Sequence, residues 1–284
     1  MPVTLLIPGF LRAHQAAGRP RLPALERMLG RATASPTRHT HPYVASLFGL
    51  EDIAVAPFMR LADGGVADQA YWLRADPVHL APDRDQLVLT PPTALHASRE
   101  ETQALAATFA ATYGEEGWRL EFPHPQRGYL KAPRALDVIT HDPEPFVGGP
   151  VLAAMPEGRD GQGLKRLMNE TQMLFHTHPV NSLREDAGRP AINSLWFWGG
   201  GTLPPAPGRQ SGRVVGSLLL LRGLAMWAGM SSTDLGNAAQ VQEGDLIGLE
   251  ADDLEDLERD WFAPLFSKVR AGAVRHLDIH LEGL

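Results

Sequence analysis

The sequence predicts an α/β protein: a doubly wound core on a mostly parallel sheet, carrying an inserted α+β subdomain. Three observations carry that expectation. The run Val3-Thr4-Leu5-Leu6-Ile7, closed by Pro8-Gly9, is continuously apolar, as strands of a sheet covered on both faces are. Strand-like and helix-like segments alternate toward both ends of the chain. Between about 77 and 163 the texture changes to strands and one well-marked helix separated by prolines. On this reading 1–76 and 186–284 form the core and 77–185 the insert.

Taken in order, the first strand is followed by a helix with Pro23 in its first turn, a stripe of Leu22, Leu25, Met28 and Leu29, and Gly30 at its end. Arg38-His39-Thr40-His41-Pro42 reads as a polar loop, Asp63-Gly64-Gly65 as a turn, and Ala70 to Leu73 as a strand delivering Arg74-Ala75-Asp76-Pro77 at its end. Ser98 stands three residues before Glu101, the spacing of a capping box, with Leu105 and Phe109 on one face beyond it. Trp118 to Phe122 and Gly128 to Lys131 read as paired strands. Leu164, Leu167, Met168, Thr171, Leu174 and Phe175 form a helical stripe. Proline restricts the residue before it, so His178-Pro179-Val180-Asn181, with Arg184 beyond, is expected in a turn or loop. Ile192 to Trp198 is a buried strand running into Gly199-Gly200-Gly201, where backbone can approach a ligand or simply turn. Val214 to Leu221 is expected as a strand, Gly223 to Gly229 as a short helix and Asp245 to Leu249 as a strand. Asp252 to Phe266 is expected as an acidic helix with Leu254, Leu257, Trp261 and Leu265 inward. Leu277 to Leu281 alternates as a half-exposed final strand.

The chain has 284 residues, 44% of them apolar, enough for a substantial core. Its net charge of −7 argues against broad nucleic-acid or anionic-membrane binding. The absence of cysteine removes disulfide and thiolate chemistry and suits a reducing compartment. Neither Val3 to Ile7 nor Val214 to Leu221 is long enough to act as a signal peptide or to span a membrane. A cytoplasmic protein with no nucleic-acid or membrane partner is expected.

Two polar groupings are chemically suggestive. Arg74 with Asp76 is either an internal ion pair or part of an anion site; His178, Asn181 and Arg184 either knit a loop to the core or face a ligand. The tetrapeptide His-Thr-His-Pro occurs at His39 to Pro42 and again at His176 to Pro179. Histidines two apart on extended chain face one side, so His39, His41, His176 and His178, with Glu170 or Asp76, are candidate zinc or manganese ligands. Against this, His176 is expected to lie within the helix, where a two-residue offset diverges.

His178-Pro179-Val180-Asn181 with Arg184 and Gly188, then Asn193 to Gly201 and Pro204, resembles a pattern of the archaeal-type cofactor-independent phosphoglycerate mutases. These belong to the alkaline phosphatase superfamily. Arg222-Gly223 with Ala228-Gly229-Met230, Leu22 to Arg31, Leu47-Phe48-Gly49, Trp72 to Asp76 and His141-Asp142-Pro143 resemble further segments in the same order. The chain is also similar to a shorter bacterial group labelled RpfE-type regulatory protein. The resemblance implies an alkaline-phosphatase-like core, two divalent metals and a serine that is transiently phosphorylated. Residue by residue that carry-over fails. Pro8 falls where a metal-binding Asp is implied, Thr40-His41 where Ser-Asp is, Leu249 to Asp253 lacks the following histidine, and Asp278 to His280 does not reproduce the late Asp-His.

The expectation is therefore a catalytically degenerate, regulatory or ligand-binding protein with no cofactor. It would recognise a small anionic metabolite, phosphate or carboxylate, through Arg74, Asp76, His178, Asn181, Arg184, Asn193 and Arg222, or recognise a protein partner. The alternative is a metal-dependent hydrolase or phosphotransferase with a rebuilt site using His39, His41 and Thr40, loaded with zinc or manganese.

Overall fold

The computed structural model describes residues 2–35, 40–83, 86–208 and 210–281. Along the chain it forms β1 (Val3–Ile7), α1 (Phe10–Ala16), α2 (Pro23–Leu29), α3 (Thr40–Leu47), α4 (Val55–Ala62), β2 (Trp72–Asp83), β3 (Gln86–Thr90), α5 (Pro92–Leu95) and α6 (Arg99–Tyr113). It continues with β4 (Arg119–His124), β5 (Arg127–Lys131), α7 (Gly161–His176), α8 (Pro179–Asp186), β6 (Ser194–Gly201), β7 (Arg213–Val215), α9 (Leu219–Trp227), β8 (Ser231–Thr233) and β9 (Asp245–Gly248). The last elements are α10 (Leu254–Asp256), a π-wound turn (Leu257–Phe262), α11 (Ala263–Arg270) and β10 (Leu277–Leu281). Two compact units result, one of 1–53 with 206–284 and one of 54–205.

The first unit holds a parallel sheet in the order β10-β1-β9-β7-β8. All five residues of β1 are buried, as its unbroken apolar run requires. Val3, Leu5 and Ile7 pack with Leu25 and Met28 of α2 and with Leu254, Leu257, Trp261 and Leu265, the four inward positions expected of the acidic helix. That helix runs on through its π-turn, and Glu258 reaches α2, accepting hydrogen bonds from the Ala24 and Leu25 amides at 2.6 and 3.4 Å. A carboxylate thus caps a helix whose own N-cap, Leu22, offers no side-chain acceptor. Leu277, Ile279 and Leu281 of β10 pack on the same cluster, so by the two-residue period Asp278 and His280 face the opposite side of the sheet.

The second unit is built on antiparallel strands, β3-β2-β5-β4 with β6 on the other side of β2. This is the α+β part, and it is larger than expected. The strands read as the end of the core at 72–76 and its resumption at 194–201 are hydrogen-bonded to each other here, so the division falls at 53/54 and 205/206, not at 76/77 and 185/186. Strand β2 does not end at Arg74 but runs twelve residues through Pro77. Proline is tolerated because β5 pairs with β2 only up to Arg74 and β3 pairs with it only from His79 on, which leaves Pro77 in the gap between them on that edge. The capping box forms as expected, the Ser98 hydroxyl accepting from the Glu101 amide and the Glu101 carboxylate from the Ser98 amide.

Three further expectations are corrected. Thr40, His41 and Pro42 open helix α3 instead of lying in a loop. His178 to Arg184 is also helical: Pro179 stands in the first turn of α8, where its missing N–H costs nothing, and His178 is the N-cap. Leu218 to Leu221 belongs to the approach and start of α9, so the strand there is only Arg213–Val215, and Gly216, at φ 102°, breaks it where an added Cβ would meet the Gly248 carbonyl.

Candidate functional site at the C-terminal edge of the parallel sheet

In open parallel sheets ligands bind beyond the carboxyl ends of the strands. In the first unit β10 is in register with β1, His280 opposite Leu6 and Leu281 opposite Ile7, just before Pro8-Gly9 ends β1. His280, on the face away from the apolar cluster, meets the first turn of α3. Its Nε2 lies 3.5 Å from Thr40 Oγ1. The Tyr43 ring stacks on the imidazole, with centroids 4.6 Å apart and planes 13° from parallel. Thr40 and Tyr43 are three apart on one helix face, so a single turn presents both to one histidine. Thr40 is 5% exposed while Tyr43 and His280 are half-buried, so the hydroxyl is sheltered and the imidazole reachable. Tyr43 is the residue that sequence reasoning missed. Once 40–47 is taken as helical its spacing from Thr40 reveals it, but His41-Pro42 was read as loop.

A two-metal centre needs several carboxylate and imidazole donors converging. At this edge β1 ends in Pro8, which offers no ligand atom, and among the described residues no three His, Cys, Asp or Glu side chains gather where they could hold a cation. The described donors, one hydroxyl and one imidazole, do not fit such a centre. His39 lies outside the described residues. His41 is in α3, whereas His176 ends α7 and His178 has both ring nitrogens engaged, Nδ1 accepting from the Val180 amide at 3.2 Å and Nε2 meeting Thr108 Oγ1 at 3.0 Å.

The residues expected to bind an anion are placed differently. In the second unit Arg184 is fully buried and spends its guanidinium on the protein: Nε donates to the Pro190 carbonyl, one terminal nitrogen to Glu101 at 2.8 Å and the other to the Leu95 carbonyl. Burial pulls its pKa down and the Glu101 carboxylate opposes that. Asn181, 1% exposed, donates to the Phe175 and Ile192 carbonyls and accepts from the Ile192 amide. Asn193 pairs with both the amide and the carbonyl of Leu80, imitating one more ladder step between β6 and β2. His178, Asn181, Arg184 and Asn193 thus tie α6, α7, α8 and the entry to β6 together.

Arg74 and Asp76 form a second buried group. Arg74 donates through two nitrogens to one oxygen of Asp76, Trp198 Nε1 donates to the other at 2.7 Å, and the Tyr129 and Trp198 rings lie 5.2 and 5.4 Å from the guanidinium carbon. Burial works against the Arg74 charge, yet Asp76 outweighs it and the pKa rises. Beside it Asp63 accepts from Arg127 and Tyr129; burial alone would raise its pKa, but those donors hold it below the ordinary carboxylate value. The glycines after Trp198 do not form a loop. They continue β6, and a Cβ on Gly199 would press on Val55 and one on Gly200 on Leu73 and Tyr71, so the close approach is to protein. Arg222, in α9 of the first unit, is half-buried and lines an open depression of about 380 Å³ with Met226, Met230, Ser232 and Asp234.

No protein-family model matches the chain. A probable 2,3-bisphosphoglycerate-independent phosphoglycerate mutase of Geobacter sulfurreducens is 27% identical over 205 residues, covering 68% of this chain and 50% of that protein. A 2,3-bisphosphoglycerate-independent phosphoglycerate mutase of Methanosarcina barkeri is 29% identical over 153 residues, covering 50% of this chain and 38% of that protein. The matched segment therefore spans half or less of these curated relatives, and the relationship is a distant one. Among solved structures, a Pyrococcus horikoshii protein has a TM-score of 0.50 at 15% identity, covering 96% of this chain and 76% of that one. At that identity the likeness concerns the fold alone. A cofactor-independent phosphoglycerate mutase from Thermoplasma acidophilum gives a TM-score of 0.43 at 18% identity, covering 94% of this chain and 84% of that one.

Proposed function

We propose that this chain is a phosphoglycerate mutase-like protein in which recognition has replaced turnover: a regulatory or ligand-binding protein for a small phosphate- or carboxylate-bearing metabolite. The observation that carries the reading is the meeting of Thr40 with His280 at the carboxyl end of β10, at a position where the resemblance implies a nucleophile and metal ligands. A hydroxyl beside an imidazole can hydrogen-bond an anion but is a poor cage for two divalent cations. Arg74, Arg184 and Asn193, engaged with protein partners, serve to hold the second unit together, and any anion contact they were expected to make passes to the sheet edge. The test is direct. Purified protein with added manganese is assayed for interconversion of 2- and 3-phosphoglycerate and titrated calorimetrically with 3-phosphoglycerate; saturable binding without interconversion is expected, and interconversion overturns the reading.

The facing of Thr40 Oγ1 and His280 Nε2 favours one second reading, a phosphotransferase or hydrolase in which His280 takes the proton of an attacking Thr40. Under it, hydrolysis of p-nitrophenyl phosphate by the protein disappears in Thr40→Val. A partner that is a protein instead of a metabolite would show as co-purification unaffected by Thr40→Val.

A further inference from the structure

We propose that the depression between α9 and β8 holds a small zwitterion, a free α-amino acid with an apolar side chain. The site is independent of the reading above, because β8 closes the parallel sheet at the edge opposite β10 and the Thr40–His280 pair. Met230, Ser232 and Asp234 alternate along β8 and its flanks and so share one face of it. Arg222 and Met226, one turn apart on α9, line the same space from the helix side. At about 380 Å³ the depression is of a size that takes a small molecule.

Arg222 is half-buried and Asp234 exposed, and although both line this depression they do not pair. Among the described residues neither side chain has a hydrogen bond or an ion pair, with the other or with a third group, and the chain neighbours of both are described. Arg213, at the start of the adjoining β7, is by contrast spent on Asp245. A ligand of one charge would answer one wall and be opposed by the other; a phosphomonoester would bring its negative charge up to Asp234. A zwitterion answers both. Its carboxylate accepts from the Arg222 guanidinium, its ammonium donates to Asp234, and the Ser232 hydroxyl can serve either end. Direct pairing of Arg222 with Asp234 before the ligand arrives competes weakly, since a solvent-open ion pair is worth about 1 kcal/mol at most. Met226, 49% exposed, and Met230, whose methyl would meet a Cβ on Gly212, add unbranched thioethers that adapt to an aliphatic or aromatic side chain.

The full chain, labelled at its methionine methyls, is titrated with L-leucine by NMR, with Met226→Leu and Met230→Leu used to assign the two signals. Saturable shifts of the Met226 and Met230 methyls are expected. N-acetyl-L-leucine, which lacks the ammonium, and L-leucinamide, which lacks the carboxylate, each bind about tenfold more weakly, the loss of one charge-assisted contact. Glycine binds severalfold more weakly than leucine, because it buries no side chain against the thioethers. The variants give a reciprocal pattern. Asp234→Asn weakens leucine binding about tenfold and no longer distinguishes leucine from its N-acetyl form, whereas Arg222→Gln no longer distinguishes leucine from leucinamide. Circular dichroism confirms that each variant is folded, and the analogue series on the unaltered chain carries the test should either unfold. No saturable shift with leucine overturns the proposal. So does inorganic phosphate or N-acetyl-leucine binding as tightly as leucine, which makes Arg222 a plain anion contact. A light-scattering mass that rises with concentration and falls back in Asp234→Asn, without any leucine shift, also overturns it and assigns the depression to a second copy of the chain.

Discussion

Two polar regions of this molecule invite comparison. The His178, Asn181 and Arg184 motif is where the sequence most resembles the phosphoglycerate mutases, and in the structure its donors are spent on backbone carbonyls and Glu101. Thr40 and His280 fall where the resemblance breaks down, at the end of the parallel sheet, Thr40 buried and His280 half-buried. The difference teaches that a motif can persist for packing. A buried guanidinium cannot be lost without leaving the carbonyls it serves short of a donor, whereas a side chain at a sheet edge can still turn to water.

The comparison breaks first at Arg184. Replacing it with alanine leaves the Pro190 and Leu95 carbonyls without their donor, strips Glu101 of one of its two arginine partners and opens a cavity, and is expected to cost about 3–5 kcal/mol of unfolding free energy in denaturant titration; a change under about 1 kcal/mol would break the comparison. Asp76→Asn, which leaves the buried Arg74 charge uncompensated, follows at about 3 kcal/mol. Asn193→Ala removes both bonds to Leu80 and should cost about 2 kcal/mol, with faster amide exchange at Leu80 as its local signature.

The pH dependence sharpens the same contrast. Burial holds the His178 pKa below its ordinary value, so the folded state favours the neutral ring. Its contribution is present above the unfolded value near 6.5 and is lost as pH falls through the lower folded value. Protonation also removes the Nδ1 acceptor that caps α8. Stability should therefore fall by about 1 kcal/mol on acidification through this range, the worth of an N-cap, and His178→Asn, which keeps a cap acceptor without titrating, should flatten that loss. The smallest stability change, under about 0.5 kcal/mol, is expected for Thr40→Ser at the sheet edge, because the hydroxyl is retained and only a methyl is lost.

Much of the fold was legible because one-dimensional patterns report it. The unbroken run of β1, the Ser98–Glu101 spacing, the stripe of Leu254, Leu257, Trp261 and Leu265 and the alternation of Leu277 to Leu281 all found the predicted structure. The misreadings gathered at proline. His41-Pro42 and His178-Pro179 read as loops from the pattern alone, yet proline in a first turn is compatible with a helix, and whether one continues depends on what packs behind it. Pro77 reads as a strand end, and only the gap between the β5 and β3 pairings shows why the strand runs on. The site was half-legible: Thr40 and His280 could be named, but their meeting could not.

The sequence by itself determined most of the strand and helix segments and which of their faces are apolar, since these follow from local periodicity and side-chain chemistry. Only the tertiary structure decided which strands share a sheet, that three expected ligand residues, Asn181, Arg184 and Asn193, are internal ties, and that Thr40, 240 positions from His280 along the chain, lies beside it. The physical reason is that strand pairing and burial depend on contacts between distant segments, and no pattern along the chain encodes the partner.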